Sequence, residues 1–305
     1  MLSLSTCWNS HRHQEGEHIV HEAKALGFKY IELSHGLKMT QLPGLLRVLA
    51  EGQVQVSSVH NFCPPPVESM MDAPDLYEYT AFRPDERERA LQLTEQTLQF
   101  ANRINAPLMV VHLGSVPMKA ITAELERLTL EGKMYGREYT KAKLKLVEKR
   151  TKLSARYMAR AKAAIDELLP LCEHYKVKMA VETRSHYEQV PNEMEMAQLM
   201  ETYKDHPWLG FWHDFGHVQR KANLGLLDHA DLLKMLAPRL LGCHVHDVSW
   251  PDHDHRIPGT GGCVDYDTLI PLVPKDIPMV WELSPSQKRS EVAAYIVKWR
   301  EKWGE

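Results

Sequence analysis

Eight short apolar runs recur along this chain, separated by polar or helix-periodic stretches, and this alternation restricts the fold more than any other feature. The runs are LSLSTCW (2–8), YIELSH (30–35), VQVSSVHNF (54–62), PLMVVHLG (107–114), VKMAVETR (177–184), LGFWHDFG (209–216), LGCHVHDV (241–248) and IPMVWELS (277–284). They are rich in Val, Ile, Leu and aromatics, as strands buried on both faces of a parallel sheet are. Helical spacing of apolar residues is clearest over His18–Leu26, Glu86–Ile104, Tyr157–Tyr175, Glu193–Tyr203, Leu227–Leu236 and Ser290–Trp303. Eight strand–helix units in about 300 residues predict an α/β fold, a single (β/α)8 barrel. No linker rich in Pro, Gly or Ser divides the chain, so residues 1–305 read as one domain. The stretch 117–175 is too long for one barrel helix, which predicts a helical insertion after the fourth strand at about 117–155.

Charge within that insertion is lopsided. Residues 133–162 carry eleven Lys or Arg against two Glu, about +9, while the whole chain is −3, which leaves the remainder near −12. Such a face is ordinarily solvated helix surface. Its functional alternative is a lid or arm that draws in a phosphorylated substrate or nucleic acid. The molecule as a whole is not charged like a polyanion binder. No apolar run reaches the ~18 residues of a membrane span. The N-terminus lacks the basic and apolar regions of a signal peptide. Five scattered cysteines, an odd number, fit a reduced cytoplasmic protein better than a disulfide scaffold.

Polar residues gather at one end of the apolar runs. His60 and His112 close the third and fourth, Glu182 the fifth, Asp214 and His217 the sixth, His244 and His246 the seventh, and Glu282 the eighth. In a (β/α)8 barrel these ends meet on one rim, where catalytic groups collect. The seventh run opens a segment with four His and three Asp between His244 and His255. That density of imidazole and carboxylate suits a divalent metal better than an apolar core. Glu182 and Glu282 directly follow apolar strands, and buried carboxylates must be paired, metal-bound or protonated. With Asp214 and His244 they form an O3N set suited to Mn, Co, Zn or Mg. Two carboxylates flanking one metal can serve as base and acid beside a carbonyl. His60, His112, His217, His246, His253 and His255 exceed the need of one ion and could bind substrate or hold more metal. A multi-metal site would favour hydrolysis of phosphate esters. The loop CPPPVESMMDAP (63–74) is long enough to cover the site, and its prolines would stiffen it.

The motifs VETR, HDFGH, HVHD followed by HRIPGTG, and WELSP resemble those of the xylose-isomerase-like TIM barrels, over the whole chain apart from the basic insertion. That superfamily includes sugar and sugar-phosphate isomerases and epimerases, inosose dehydratase-like enzymes and endonuclease IV proteins. Resemblance to its ketose 3-epimerases implies one divalent ion on Glu182, Asp214, His244 and Glu282, with His246 the alternative to His244. It implies proton transfer by Glu182 and Glu282, and substrate contact by His217. Where those epimerases carry a substrate-binding arginine before the PG turn, this chain has His255 followed by Arg256. Arg184, two residues after Glu182, is a second substrate-binding candidate. Resemblance to endonuclease IV implies instead two or three zinc ions, with His60, His112, His217 and His255 as added ligands and His253 in an aspartate slot. The expected activity is therefore metal-dependent isomerisation or epimerisation of a small sugar or sugar phosphate. The alternative is a zinc-dependent phosphodiesterase acting on abasic DNA or a phosphate ester. A homo-oligomer is compatible with either.

Overall fold

The computed structural model describes residues 1–66 and 74–304. Its centre is a closed barrel of eight parallel strands. They are β1 (Leu2–Ser5), β2 (Tyr30–Leu33), β3 (Gln55–His60), β4 (Leu108–Val111), β5 (Lys178–Glu182), β6 (Leu209–Asp214), β7 (Leu240–Val245) and β8 (Met279–Trp281). Closure comes from β1, which pairs with β2 on one side and with β8 on the other, Leu2 lying opposite Met279. Seven of the expected apolar runs contain one of these strands, and the run 241–248 overlaps β7, which begins one residue earlier at Leu240. The strands are shorter than the runs because the chain leaves the sheet where the polar residues begin. Glu282 stands just past the end of β8, and Asp214 is the last residue of β6.

The period of two along a strand sorts each run into layers. Val110, Ala180, Trp212 and Val280 join Leu108 in a small apolar cluster. Two residues further along the same strands come His112, Glu182, Asp214 and Glu282, on the same face. An apolar plug therefore lies one layer below the polar rim. Gly242 belongs to that plug, since a Cβ there would sit 2.1 Å from the Trp212 ring. Two residues on is His244.

Helices surround the barrel: α1 (Gly16–Ala25), α2 (Leu42–Ala50), α3 (Pro84–Arg103), α4 (Ile121–Leu130), α5 (Arg137–Tyr175), α6 (Glu193–Thr202), α7 (Phe215–Asn223), α8 (His229–Leu236), α9 (Tyr266–Leu269) and α10 (Arg289–Trp303). The stretch 117–175 forms two of them, and α5 runs unbroken through residue 155 for 39 residues. At 1.5 Å per residue that is a rod of about 58 Å. Its C-terminal half buries Ile165, Leu168, Leu169 and Cys172 in the main core. Its N-terminal half packs Tyr139 and Leu146 with Ile121, Leu125 and Leu128 of α4 and with Leu224, in a separate core. Arg150, 1% exposed, ties this half to the rim, with Nε donating to Tyr187 O at 3.1 Å, Nη2 to Gln189 O at 2.7 Å, and an ion pair to Glu195. Most of the proline-led loop expected to cover the site, 67–73, lies outside the described residues. Among the described residues no helix is long and apolar enough to cross a membrane.

Candidate metal centre

The strand ends bring three carboxylates onto one imidazole. Nδ1 of His244 lies 3.2 Å from Glu182 Oε1, 3.6 Å from Asp214 Oδ2 and 3.4 Å from Glu282 Oε2. All four residues are buried, and one ligand atom from each falls within 4.8 Å of the others. On its far side the same ring donates from Nε2 to Glu32 at 3.1 Å, and Glu32 also accepts from Ser58 Oγ at 2.8 Å. Burial alone would push the His244 pKa down, but Glu282, Glu32 and Glu182 outweigh it and hold it well above the usual imidazole range. Burial pushes the Glu182 carboxyl up, yet His112 and His244 bring it well below the usual value. So many buried negative charges around one ring call for a cation, and a divalent ion on Nδ1 would take the place of that proton.

Two further groups flank this one. His60 Nε2 and His112 Nε2 face Glu182 Oε2 at 3.1 and 2.7 Å, and the three residues form a second candidate ligand group. His217, His246 and His255 form a third. Hydrogen bonds to fixed acceptors set the tautomers of the rings. Nδ1 of His60 donates to Asn61 O at 3.1 Å, and that of His112 to Asp75 Oδ1 at 2.9 Å. Nδ1 of His217 donates to Thr183 O, and that of His255 to Glu282 O, both at 3.1 Å. Each of these four rings keeps Nε2 as a ligand atom. His246 differs. Its Nδ1 accepts the backbone N–H of His255 at 2.9 Å, so Nε2 carries the proton and donates to Asp214 at 3.0 Å. In this arrangement His246 holds Asp214, which leaves His217 and His255 as the members of the third group with a free ligand atom. The His246 ring lies where a Cβ on residue 216 would be 2.0 Å away, which only Gly216 permits.

The histidine-rich segment thus divides among several tasks. His244 belongs to the buried tetrad. Asp247 accepts the backbone N–H groups of Val248, Gly262 and Val264 and shapes the following loop. His253 and His255 lie on one strand of a rim hairpin, Asp247–Ser249 paired with His253–Arg256. His253 is exposed and joins none of the three groups. In a regular strand, residues two apart share a face. The left-handed backbone of His255, φ 52°, breaks that rule and turns only its own ring inward. Arg184 gives Nη2 to Asp75 at 2.6 Å, while its Nε and Nη1 are buried without partners, as is Nε of Arg256.

Glu32, Asp75 and Thr183 were not anticipated from sequence. Glu32 carried one signal, a carboxylate in the interior of an apolar run.

A sequence profile of the xylose isomerase-like TIM barrel family matches residues 20–299. The chain belongs to that family. No curated protein matches the sequence. Among solved structures, a D-tagatose 3-epimerase-like protein superposes with a TM-score of 0.68 at 14% identity, covering 98% of this chain and 97% of that one. D-psicose 3-epimerase from Clostridium cellulolyticum, solved with D-tagatose, gives 0.65 at 12%, covering 98% of each chain. The IolI protein with a bound zinc atom gives 0.63 at 14%, covering 97% and 95%. At these identities the likeness establishes the shared fold.

Proposed function

We propose that this protein is a divalent-metal-dependent isomerase or epimerase that moves a proton beside the carbonyl of a small sugar or sugar phosphate. The observation that carries the reading is the placement of two glutamates, Glu182 and Glu282, in one buried ligand set with Asp214 and His244. The sugar epimerases among the structural neighbours, and the zinc atom bound by the IolI protein, support it. Glu182, Asp214, His244 and Glu282 would hold the ion, which when bound polarises a substrate oxygen. The two glutamates are unequal. Glu182 is faced by His60 and His112 at 3.1 and 2.7 Å, whereas Glu282 has its closest imidazole nitrogens at 3.4 and 3.7 Å. Glu282 is the freer carboxylate and takes the proton from one face of the substrate carbon, Glu182 returns one on the other face, and the negative charge that develops on the oxygen would be offset by the ion. Arg184 and Arg256, with unpartnered nitrogens, are assigned to substrate oxygens.

The test is turnover of a ketose and ketose-phosphate panel by Glu182→Gln and Glu282→Gln. Each is expected to lower kcat by about 10²- to 10⁴-fold, with Glu282→Gln the more severe. Full turnover by both would sink the reading.

A second reading, a zinc phosphodiesterase, is favoured by one observation. The two histidine-rich groups adjoin the tetrad through Glu182 and Asp214, so the rim offers places for two or three ions. It requires two or three zinc ions per chain and cleavage of abasic-site DNA or a phosphate ester. Metal content of protein purified without chelator separates the readings, since the sugar reading needs one ion.

A further inference from the structure

The inserted helix α4 reaches the histidine-rich rim through one side chain. Arg220 lies on α7, three residues after His217, and its guanidinium is forked between two carboxylates. Nη2 and Nε donate to Glu126 Oε1 at 2.8 and 3.3 Å, and Nη1 donates to Asp254 Oδ2 at 2.8 Å. Glu126 belongs to α4, and Asp254 precedes His255 on the rim hairpin. The three side chains are 14%, 7% and 16% exposed, so this cluster is desolvated and not a surface pairing. Burial raises the Glu126 pKa, and Arg220 only partly offsets it. Ion clusters like this are costly to bury, and apolar residues of similar size often stabilise as well. What the fork supplies is direction, because its planar donors fix both partners.

His255 is the residue that needs such fixing. Its backbone is left-handed, a conformation that a residue other than glycine keeps only when its surroundings impose it. The hairpin is held from several sides. Asn223, at the end of α7, donates to Pro251 O at 2.8 Å. The His255 N–H donates to His246, and its carbonyl accepts from the Ser284 N–H at 2.9 Å. Arg220 is the only one of these contacts that also reaches the insertion.

We propose that Arg220 is a positioning residue that holds His255 opposite His217, with the inserted helix as its anchor through Glu126. The insertion is then part of the construction of the site and not an appendage to it.

Two readouts test this, and only the zinc readout rests on the metal reading above. Arg220→Lys keeps the charge and removes the fork. Hydrogen–deuterium exchange of the peptide spanning 252–258 is expected to rise about tenfold or more, with strand peptides unchanged. Titrated with zinc alone, Arg220→Lys is expected to bind the equivalent lost in His217→Ala about 10- to 100-fold more weakly than wild type. Combining the two substitutions should add no further loss. Glu126→Gln should reproduce the exchange result in weaker form. Wild-type exchange of the hairpin peptide in Arg220→Lys would overturn the proposal. If wild type takes up no zinc at the third group, the multi-zinc reading fails, and the exchange result alone decides the role of Arg220.

Discussion

The two nitrogens of His244 do different work, and Glu32 makes them differ. By accepting from Nε2, Glu32 aims Nδ1 at the three carboxylates and raises its basicity as a ligand. Glu32→Gln keeps the size and the hydrogen-bond acceptor but removes the charge. It is expected to weaken metal binding about 10- to 100-fold, measured by competition with a chromophoric chelator. An affinity equal to wild type would show that the ring needs no such partner. The candidate ligands were legible because each follows an apolar run, a position that sends it to the barrel rim. Glu32 was not, because a single Glu within YIELSH looks the same whether it faces inward or outward. Its partner is 212 residues away, and only barrel closure brings the two together. The inward turn of His255 was hidden for a different reason, since it depends on one backbone angle and not on residue type.

At the scale of elements, all eight strands were readable from the runs, and the helices missed were those with mixed signals. LPGLLRVLA, which forms α2, has Pro and Gly in its first turn and almost no polar face. The start of α7 was absorbed into the sixth run because Asp214 both ends β6 and caps the helix, accepting the His217 N–H at 2.7 Å. Between β6 and α8 lies a feature with a consequence for acid stability. Gln219 Oε1 accepts from His229 Nδ1 at 2.9 Å, so His229 Nε2 must accept from His213 Nε2, also at 2.9 Å. Both rings are therefore neutral. Burial, opposed by Asp214, pushes His213 down to about 3, and burial with His213 holds His229 well below its usual value. Above about pH 6.5 neither the folded nor the unfolded chain protonates these rings, and their contribution to stability is complete. Below it the unfolded chain takes up protons that the fold refuses, so stability falls as pH drops toward the folded pKa. The loss reaches about 2 kcal/mol per histidine by pH 5. In urea unfolding at pH 7 and pH 5, the double variant His213→Leu/His229→Leu should lose less stability on acidification than wild type. Equal losses would mean that the pair does not titrate on unfolding.

For the molecule as a whole, the rim concentrates negative charge that the barrel buries without a matching number of permanent cations. Glu32, Glu182, Asp214 and Glu282 are all buried around His244, while the lysine-rich positive charge of the chain lies on the outer face of α5. The long basic helix was legible as composition, yet its attachment to the rim through Arg150 was not, because that attachment depends on backbone carbonyls, which no sequence pattern marks. Metal removal should therefore be felt globally. An ion present at 100 times its Kd stabilises the fold by about 2.7 kcal/mol. Unfolding entropy near 2.1 cal/mol/K per residue, over 305 residues, converts this to about 4 °C in Tm. A one-ion site thus predicts a fall of about 4 °C when metal at that excess is stripped with chelator, regained in a single step when free metal returns to that excess. A three-ion rim predicts a fall nearer 12 °C, recovered in steps that overlap because Glu182 and Asp214 each adjoin two groups. Calorimetry across a metal titration distinguishes the two, and a Tm indifferent to chelator in protein of known metal content would rule out an ion at the tetrad. The size of the fall then chooses the chemistry. One ion leaves the proton transfer to Glu282 and Glu182. Three ions would set Glu182 and Asp214 each between two ions and would supply an activated water as the nucleophile.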